Sequence, residues 1–198
     1  METRRGFLKK TIGGAVLLAA AGAVPLALRK TKLRDVPGPL RFFTPEEYSI
    51  FAAVAERVLA RGPAEMPPEL AAIAQRRPAP PTAAEVEVAA KADAFLAPLD
   101  AASAKELKQL LLLFDNALFS LATGGPPRPF THMTPGEQDA HLERWATSRM
   151  AVRRTGFQAL KRLTAAMYYS QPATYASVGY PGPPYDLVRT VNASRSRR

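Results

Sequence analysis

The chain has 198 residues, of which 47% are hydrophobic, and it contains no cysteine. This length fits one domain with an added terminal segment, and the hydrophobic fraction is sufficient for a buried core. The lack of cysteine excludes disulfides, thiolate nucleophiles, iron–sulfur ligation and covalent haem attachment.

The net charge of +10 is unevenly distributed. Residues 1–28 carry four basic and one acidic residues, residues 29–143 carry 13 and 15, and residues 144–198 carry ten and one. A basic end of this kind fits a solvated tail, an acidic protein partner or anionic lipid headgroups. Nucleic-acid binding is not expected, because that reading needs a recognised motif or interleaved aromatic residues.

The N-terminus matches the twin-arginine export pattern Ser/Thr-Arg-Arg-x-Phe-Leu-Lys at every defined position. The matching residues are Thr3, Arg4, Arg5, Phe7, Leu8 and Lys9. The moderately apolar run of residues 11–28 and the basic residues behind it favour this route over general secretion. We therefore expect a periplasmic or other extracytoplasmic protein. The run is either removed or kept as a membrane anchor, since its 18 residues are at the lower limit for a spanning helix.

The remaining chain divides into a linker at 29–43, a helical domain at 44–170 and an extended Pro/Tyr-rich arm with a basic tail at 171–198. Four capping-box patterns, each a Ser or Thr followed three residues later by Glu, indicate helix starts. They lie at Thr44, Thr82, Ser103 and Thr134. The predicted helices cover 45–60, 83–97, 104–123 and 135–169, with a break in the last near Thr147-Ser148.

The connection at 61–81 holds six prolines and is expected to be irregular. No alternating run is long enough for a strand, so the predicted fold class is all-α, a small bundle of about four to five helices.

Two helices raise questions about their neighbours. Leu107–Leu121 is apolar on more than one face, which is typical of a central helix, although the second face could instead bind a partner. In the last helix, Arg149 and Arg153 lie on the apolar side. A buried arginine needs an acceptor, so we expect an ion pair with Asp115 unless both side chains reach solvent.

The sequence offers little for catalysis. His132 and His141 lack the spacing of a helical metal pair and are expected to be solvated, in a turn and on a helix surface. Asp139 and Glu143, one turn apart, are interpreted as a solvated helix face. Trp145 is expected at a helix junction. We assign no catalytic, cofactor-binding or metal-binding residue.

The chain resembles gluconate 2-dehydrogenase subunit 3, the small subunit of membrane-associated FAD-dependent sugar and polyol dehydrogenases. The resemblance rests on the twin-arginine start, on Phe43–Glu47 opening a helix that continues through 51–58, and on the C-terminal end. That end contains Tyr168-Tyr169-Ser170, Pro172, Tyr175 and Gly179-Tyr180-Pro181-Gly182-Pro183.

This resemblance implies a non-catalytic subunit without a cofactor. It would bind a folded glucose–methanol–choline-type flavoprotein that carries the FAD, escort it through the twin-arginine translocation machinery and stabilise it. The aromatic and proline residues of the arm are the candidate interface, unless they pack on the protein's own helices. They are Tyr169, Tyr175, Tyr180, Pro181, Pro183 and Tyr185. The alternatives are an enzyme in its own right and a membrane-tethered helical module with a basic lipid- or protein-binding surface.

Overall fold

The computed structural model describes residues 30–60 and 76–182, and within these ranges the chain is all-α with no strand. This confirms the predicted fold class. Seven α-helices and one short 3₁₀ helix are present in the described part. They are α1 (Pro45–Val58), α2 (Val88–Leu96), α3 (Ala101–Phe114), α4 (Ala117–Ala122), the 3₁₀ helix (Phe130–His132), α5 (Pro135–Ala146), α6 (Ala151–Tyr169) and α7 (Pro172–Val178).

Helix α1 is the centre of the bundle. Ile50, Phe51 and Val54 have no exposed surface, and the helix contacts α2, α3, α5 and α6. Its start follows the sequence pattern: Thr44 N–H donates to the Glu47 carboxylate at 2.9 Å, and Glu47 N–H donates to the Thr44 hydroxyl at 3.2 Å. The capping box therefore fixes where the central helix enters the core.

The Leu107–Leu121 segment is not the centre of the bundle, so that expectation was wrong. It is divided between α3 and α4, because Asn116 accepts from Phe119 N–H at 2.8 Å and caps a new helix. Leu112 is 52% exposed and Leu121 is 49% exposed. The second apolar face of this segment is therefore left on the surface.

Two of the four predicted helix starts are confirmed, at Thr44 and Thr134. Helix α3 begins earlier than predicted, because Asp100 rather than Ser103 accepts from the first backbone N–H groups. The Thr82 box forms its hydrogen bonds, but the helix does not start there. Glu87 has a left-handed φ of 53°, and α2 begins only after it.

The predicted break near Thr147-Ser148 is confirmed, since α5 ends at Ala146 and α6 begins at Ala151. Trp145 fills this junction with no exposed surface, as predicted. It packs against Phe114, with ring centroids 4.7 Å apart. A Cβ at Gly156 would lie 2.5 Å from Leu110 Cδ1 and 3.1 Å from Trp145 Cζ3, so α6 passes too close to these side chains for a larger residue.

Residues 30–43, interpreted above as a linker, form a non-helical strap across the bundle. Near its end, the buried Asp93 carboxylate accepts from the backbone N–H groups of Arg41, Phe42 and Phe43, at 2.8, 3.0 and 2.8 Å. In the middle, Arg34 N–H donates to the Ser49 hydroxyl at 2.9 Å, and the Arg34 side chain pairs with Glu56. The strap is therefore part of the folded domain.

The C-terminal arm was expected to be extended from residue 171, and this is wrong for its first part. Pro172 opens α7, which ends where Gly179 adopts a φ of 70°. Proline is favoured at a first helical position and glycine just after a last one. Residues 183–198 lie outside the described part of the chain, as do the predicted signal at 1–28 and residues 61–75 of the predicted irregular connection at 61–81.

Replacing Asp93 with Ala should destabilise the protein by about 2–4 kcal/mol, because up to three backbone N–H groups of the strap lose their acceptor. Asp93→Asn, which keeps one acceptor oxygen, should lose roughly half as much. Urea unfolding followed by circular dichroism measures both. Asp35→Ala, which removes an exposed carboxylate of the same strap, is the matched control. If Asp93→Ala had the same unfolding midpoint as the control, Asp93 would not be what holds the strap to the bundle.

Candidate functional site

The predicted export residues Arg4, Arg5, Phe7, Leu8 and Lys9 lie outside the described residues. The chain that follows them is held against the 3₁₀ helix. His132 donates through Nε2 to the Lys30 carbonyl at 3.0 Å, and Lys32 N–H donates to the Thr131 hydroxyl at 3.1 Å. An open cavity of about 550 Å³ at this point is lined by Lys30, Thr31, Lys32, Arg128, Pro129 and His132. The strap therefore begins in a basic surface.

Asp115 anchors this start of the strap. Its carboxylate accepts from the Thr31 hydroxyl at 2.8 Å and from Thr131 N–H at 2.8 Å, and it is 5% exposed. Burial raises the pKa of Asp115, while the hydrogen bonds from Thr131 and Thr31 act in the opposite direction. Asp115 thus joins the strap, the end of α3 and the 3₁₀ helix.

The predicted ion pair of Asp115 with Arg149 and Arg153 is wrong. Arg149 precedes α6 and is exposed. Arg153 is buried on the apolar side of α6 as helical geometry indicated, but its guanidinium lies over two rings. Its Cζ is 5.5 Å from the Trp145 ring centroid and 6.0 Å from that of Phe119. Cation–π contact replaces the expected carboxylate.

His141 was expected on a helix surface, yet it is 1% exposed. Its ring packs on Phe114 at 4.8 Å and on Phe130 at 5.4 Å between centroids. Burial, together with the nearby charges of Arg144 and Arg153, lowers the pKa of His141 to about 3. His141 is thus a neutral member of the aromatic core. His132 is exposed, as expected for a solvated residue.

The candidate interface at the C-terminal end is partly internal and partly exposed. Tyr168 is buried and donates to the Pro81 carbonyl at 2.6 Å. Tyr169 is 50% exposed and Tyr180 is 44% exposed. Tyr175 is half-buried, with its ring centroid 4.9 Å from that of Tyr180.

Two further contacts define this end of the molecule. Arg77 donates to the Val178 carbonyl at 2.8 Å, which ties α7 to the segment before α2. Pro181 is exposed, whereas Pro183 and Tyr185 lie outside the described residues. We call the exposed surface of Tyr169, Tyr175, Tyr180 and Pro181 the tyrosine surface. Its role as an interface stays a prediction.

Sequence reasoning missed two residues with buried polar atoms, Asp93 and Arg144. Asp93 could have been found, because it shares the apolar stripe of α2 with Ala89, Ala92 and Leu96, which are buried. Arg144 gave no comparable signal, because a basic residue in the last turn of a helix is ordinarily explained by the helix dipole.

Neither a metal site nor a membrane helix emerges from the described ranges. No group of three or more His, Cys, Asp or Glu side chains there is placed to hold a metal ion. None of the helices built from those residues combines the length and apolar character that crossing a bilayer requires.

The fold and surfaces define an all-α protein with an N-terminal strap fixed to its bundle. The model of one protein family, described as gluconate 2-dehydrogenase subunit 3, matches residues 45–182. The chain therefore belongs to the gluconate 2-dehydrogenase subunit 3 family, and this confirms the resemblance noted above. The family name denotes a subunit of a dehydrogenase complex, which implies a catalytic partner subunit. Comparison with curated proteins gave no significant match, and comparison with solved structures gave none either.

The depressed pKa of His141 makes stability dependent on pH. An unfolded histidine takes up a proton near pH 6.5, whereas the folded one does so only at about pH 3. The contribution of neutral His141 to the unfolding free energy is therefore complete above the unfolded pKa, and it is lost as the pH falls below that value. Between about pH 7 and about pH 5, His141 should account for a loss of roughly 2 kcal/mol in unfolding free energy.

Urea titrations of the wild type and of His141→Leu at the two pH values measure this contribution. The variant should lose less stability on acidification than the wild type. His132→Leu, which removes the exposed histidine, is the control. Equal acid sensitivity in wild type and His141→Leu would show that His141 titrates normally in the folded protein.

Proposed function

We propose that this chain is the small, non-catalytic subunit of a flavin-dependent dehydrogenase. It binds a catalytic subunit of the glucose–methanol–choline type, which carries the FAD, and escorts it in folded form through the twin-arginine machinery. It then remains bound and stabilises the complex outside the cytoplasm. The observation that carries this proposal is the match of residues 45–182 to a dehydrogenase-subunit family, in a chain that begins with a twin-arginine pattern.

The export route supports an escort role. The twin-arginine machinery moves folded cargo, and the flavin of the partner must be bound in the cytoplasm. A signal carried by a separate subunit can serve a partner only if the two stay joined during passage. The strap helps here, because Asp93, Asp115 and Ser49 fix residues 31–43 to the bundle. Tension on the N-terminal segment is therefore passed to the domain rather than to a free linker.

The tyrosine surface fits a partner-binding role. Tyrosine supplies a large apolar area with a polar tip and is enriched among residues that dominate binding energy. The contacts of Tyr168 with Pro81 and of Arg77 with Val178 hold this surface in place before binding. Such preorganisation lowers the entropy lost on association.

The second candidate function is a membrane-tethered helical module. It is favoured by the exposed basic residues of the α5–α6 region, among them Arg149, Arg154, Lys161 and Arg162. In this case the N-terminal segment is kept as an anchor, and the basic surface lies on anionic headgroups. Salt-sensitive binding to anionic vesicles without any dehydrogenase subunit would favour it.

The twin-arginine pair can be tested in cells that make both subunits. Replacing Arg4 and Arg5 together with Lys should retain the flavin subunit in the cytoplasm and lower its activity outside by roughly tenfold or more. Activity after cell fractionation measures this, and Arg29→Lys is the matched control outside the pattern. Normal export of the flavoprotein with the double-lysine chain would show that it does not travel on this signal.

The tyrosine surface can be tested on the purified pair of subunits. Tyr169→Ala combined with Tyr180→Ala should weaken the complex by about 2–4 kcal/mol, as loss of two exposed aromatic anchors would. Titration calorimetry measures the affinity. Phe95→Ala removes another exposed aromatic residue, 62% exposed on α2, and should leave the affinity unchanged. If Phe95→Ala alone weakens the complex, the interface lies elsewhere on the bundle.

A further inference from the structure

A second polar cluster lies where α4, α5 and α6 meet, and its charged groups are the guanidinium groups of Arg144 and Arg153. Arg153 is 6% exposed, and its Nε and Nη2 atoms are buried without a hydrogen-bond partner. The buried Nε and Nη2 atoms of Arg144 likewise have no partner. No carboxylate of residues 30–60 or 76–182 pairs with either guanidinium. We call these two residues the arginine pair.

Neighbouring groups belong to the same cluster. A Cβ at Gly125 would lie 2.4 Å from Ser120 Oγ and 3.1 Å from Arg144 Nη2, so both atoms pack closely against this glycine and lie near each other. The buried hydroxyl of Ser120 also has no partner. The charge of Arg144 adds to burial in lowering the pKa of Arg153, which indicates that the two cations lie near each other.

Two cations held together in a buried place are unfavourable unless an anion neutralises them. Arg153 Nη1 donates to the Ser148 hydroxyl at 3.4 Å, and its guanidinium contacts the rings of Trp145 and Phe119. These contacts compensate the buried charge only in part, because the N–H groups of Nε and Nη2 stay unsatisfied. Residues 144–185 contain no Asp or Glu that could fill this role locally. The cluster is therefore complementary to a carboxylate from outside it.

The surface beside the arginine pair has the composition of a protein interface. Leu121, which follows Ser120, is 49% exposed. Met150 and Val152, which precede Arg153 by three residues and one residue, are 47% and 53% exposed. Arginines whose donor atoms are buried beside exposed apolar side chains are typical of binding hot spots, in which a central charged anchor is shielded from water.

We propose that the arginine pair receives a carboxylate of the dehydrogenase catalytic subunit, carried on an acidic segment that also covers Leu121, Met150 and Val152. This inference rests on the proposed function, and it adds a second contact between the two subunits to the one at the tyrosine surface. Residues 153 and 169 are 16 positions apart on α6, or about 24 Å, so the arginine pair and the tyrosine surface lie towards opposite ends of that helix. The catalytic subunit thus contacts the small subunit along the length of α6.

A protein carboxylate fits this site better than a lipid phosphate. The guanidinium edge binds a planar carboxylate through two parallel hydrogen bonds. An acidic side chain on a polypeptide can enter a site in which Arg153 is almost fully covered. A bilayer surface instead meets the exposed cations first, and Arg149 and Arg162 are exposed.

The test measures the affinity of the purified chain for its catalytic subunit by titration calorimetry at two salt concentrations. Arg144→Gln combined with Arg153→Gln should weaken binding by roughly thirtyfold or more, because the partner carboxylate loses its hydrogen-bonded cations. Arg149→Gln combined with Arg162→Gln removes the same charge from exposed positions. This control should lower affinity only a few-fold, and only at low salt.

A second variant guards against loss of folding in the first. Arg144→Lys keeps the charge at a half-buried position but removes the bidentate edge, and it should weaken binding about tenfold while the circular dichroism spectrum stays unchanged. Equal losses in the arginine-pair variant and the exposed control would overturn the proposal, since general charge attraction would then explain both.

Three further results distinguish a partner carboxylate from a lipid headgroup and from an anion of this chain. If Arg144→Gln combined with Arg153→Gln abolished binding to anionic vesicles but left the affinity for the catalytic subunit unchanged, the arginine pair would bind lipid and the proposal would be overturned. If Asp186→Asn destabilised the isolated chain as much as Arg144→Gln, the anion would come from this chain itself, and the proposal would fail. Absence of any complex with the wild-type chain would instead remove the proposed function, and the docking site with it.

Discussion

The strap of residues 30–43 is held by two buried carboxylates, and the path of the chain into α1 depends on them. Asp93 accepts from three consecutive backbone N–H groups at one end of the strap, and Asp115 accepts from Thr31 near the other. A buried carboxylate is costly unless its oxygens are hydrogen-bonded. Here the strap supplies those hydrogen bonds, so the bundle and the strap stabilise each other. Residues 30–43 are thereby continuous with the folded core.

This arrangement also explains why α1 rather than the most apolar segment forms the centre. The strap leads directly into Phe43, which stacks on Phe51 with ring centroids 5.7 Å apart, and then into the capping box of Thr44. Phe43 and Phe51 place α1 beneath the strap, and α2, α3, α5 and α6 pack around it. Helices α3 and α4 then cover only part of the core, and their remaining apolar residues stay at the surface.

Much of the fold was accessible from sequence, because its signals are local. The capping boxes at Thr44 and Thr134, the break after Ala146 and the lack of strands in residues 30–60 and 76–182 all follow from hydrogen bonds and periodicity within a few residues. The errors concern long-range contacts. The partner of Asp115 is 84 residues away at Thr31, and the burial of His141 depends on Phe114 and Phe130 from other elements. No spacing along the chain encodes such pairings.

The failed prediction of an ion pair is itself informative about function. Arg153 lies on the buried side of α6, as helical geometry required. Asp115, the acid predicted to pair with it, instead accepts hydrogen bonds from Thr31 of the strap and from Thr131. Residues 144–182 contain no carboxylate that could take the place of Asp115. An unneutralised buried cation costs free energy in the isolated chain. The proposed complex would recover that cost, because a carboxylate of the catalytic subunit would neutralise the cation. The buried arginine therefore connects the failed ion pair to the proposed role as a subunit of a complex.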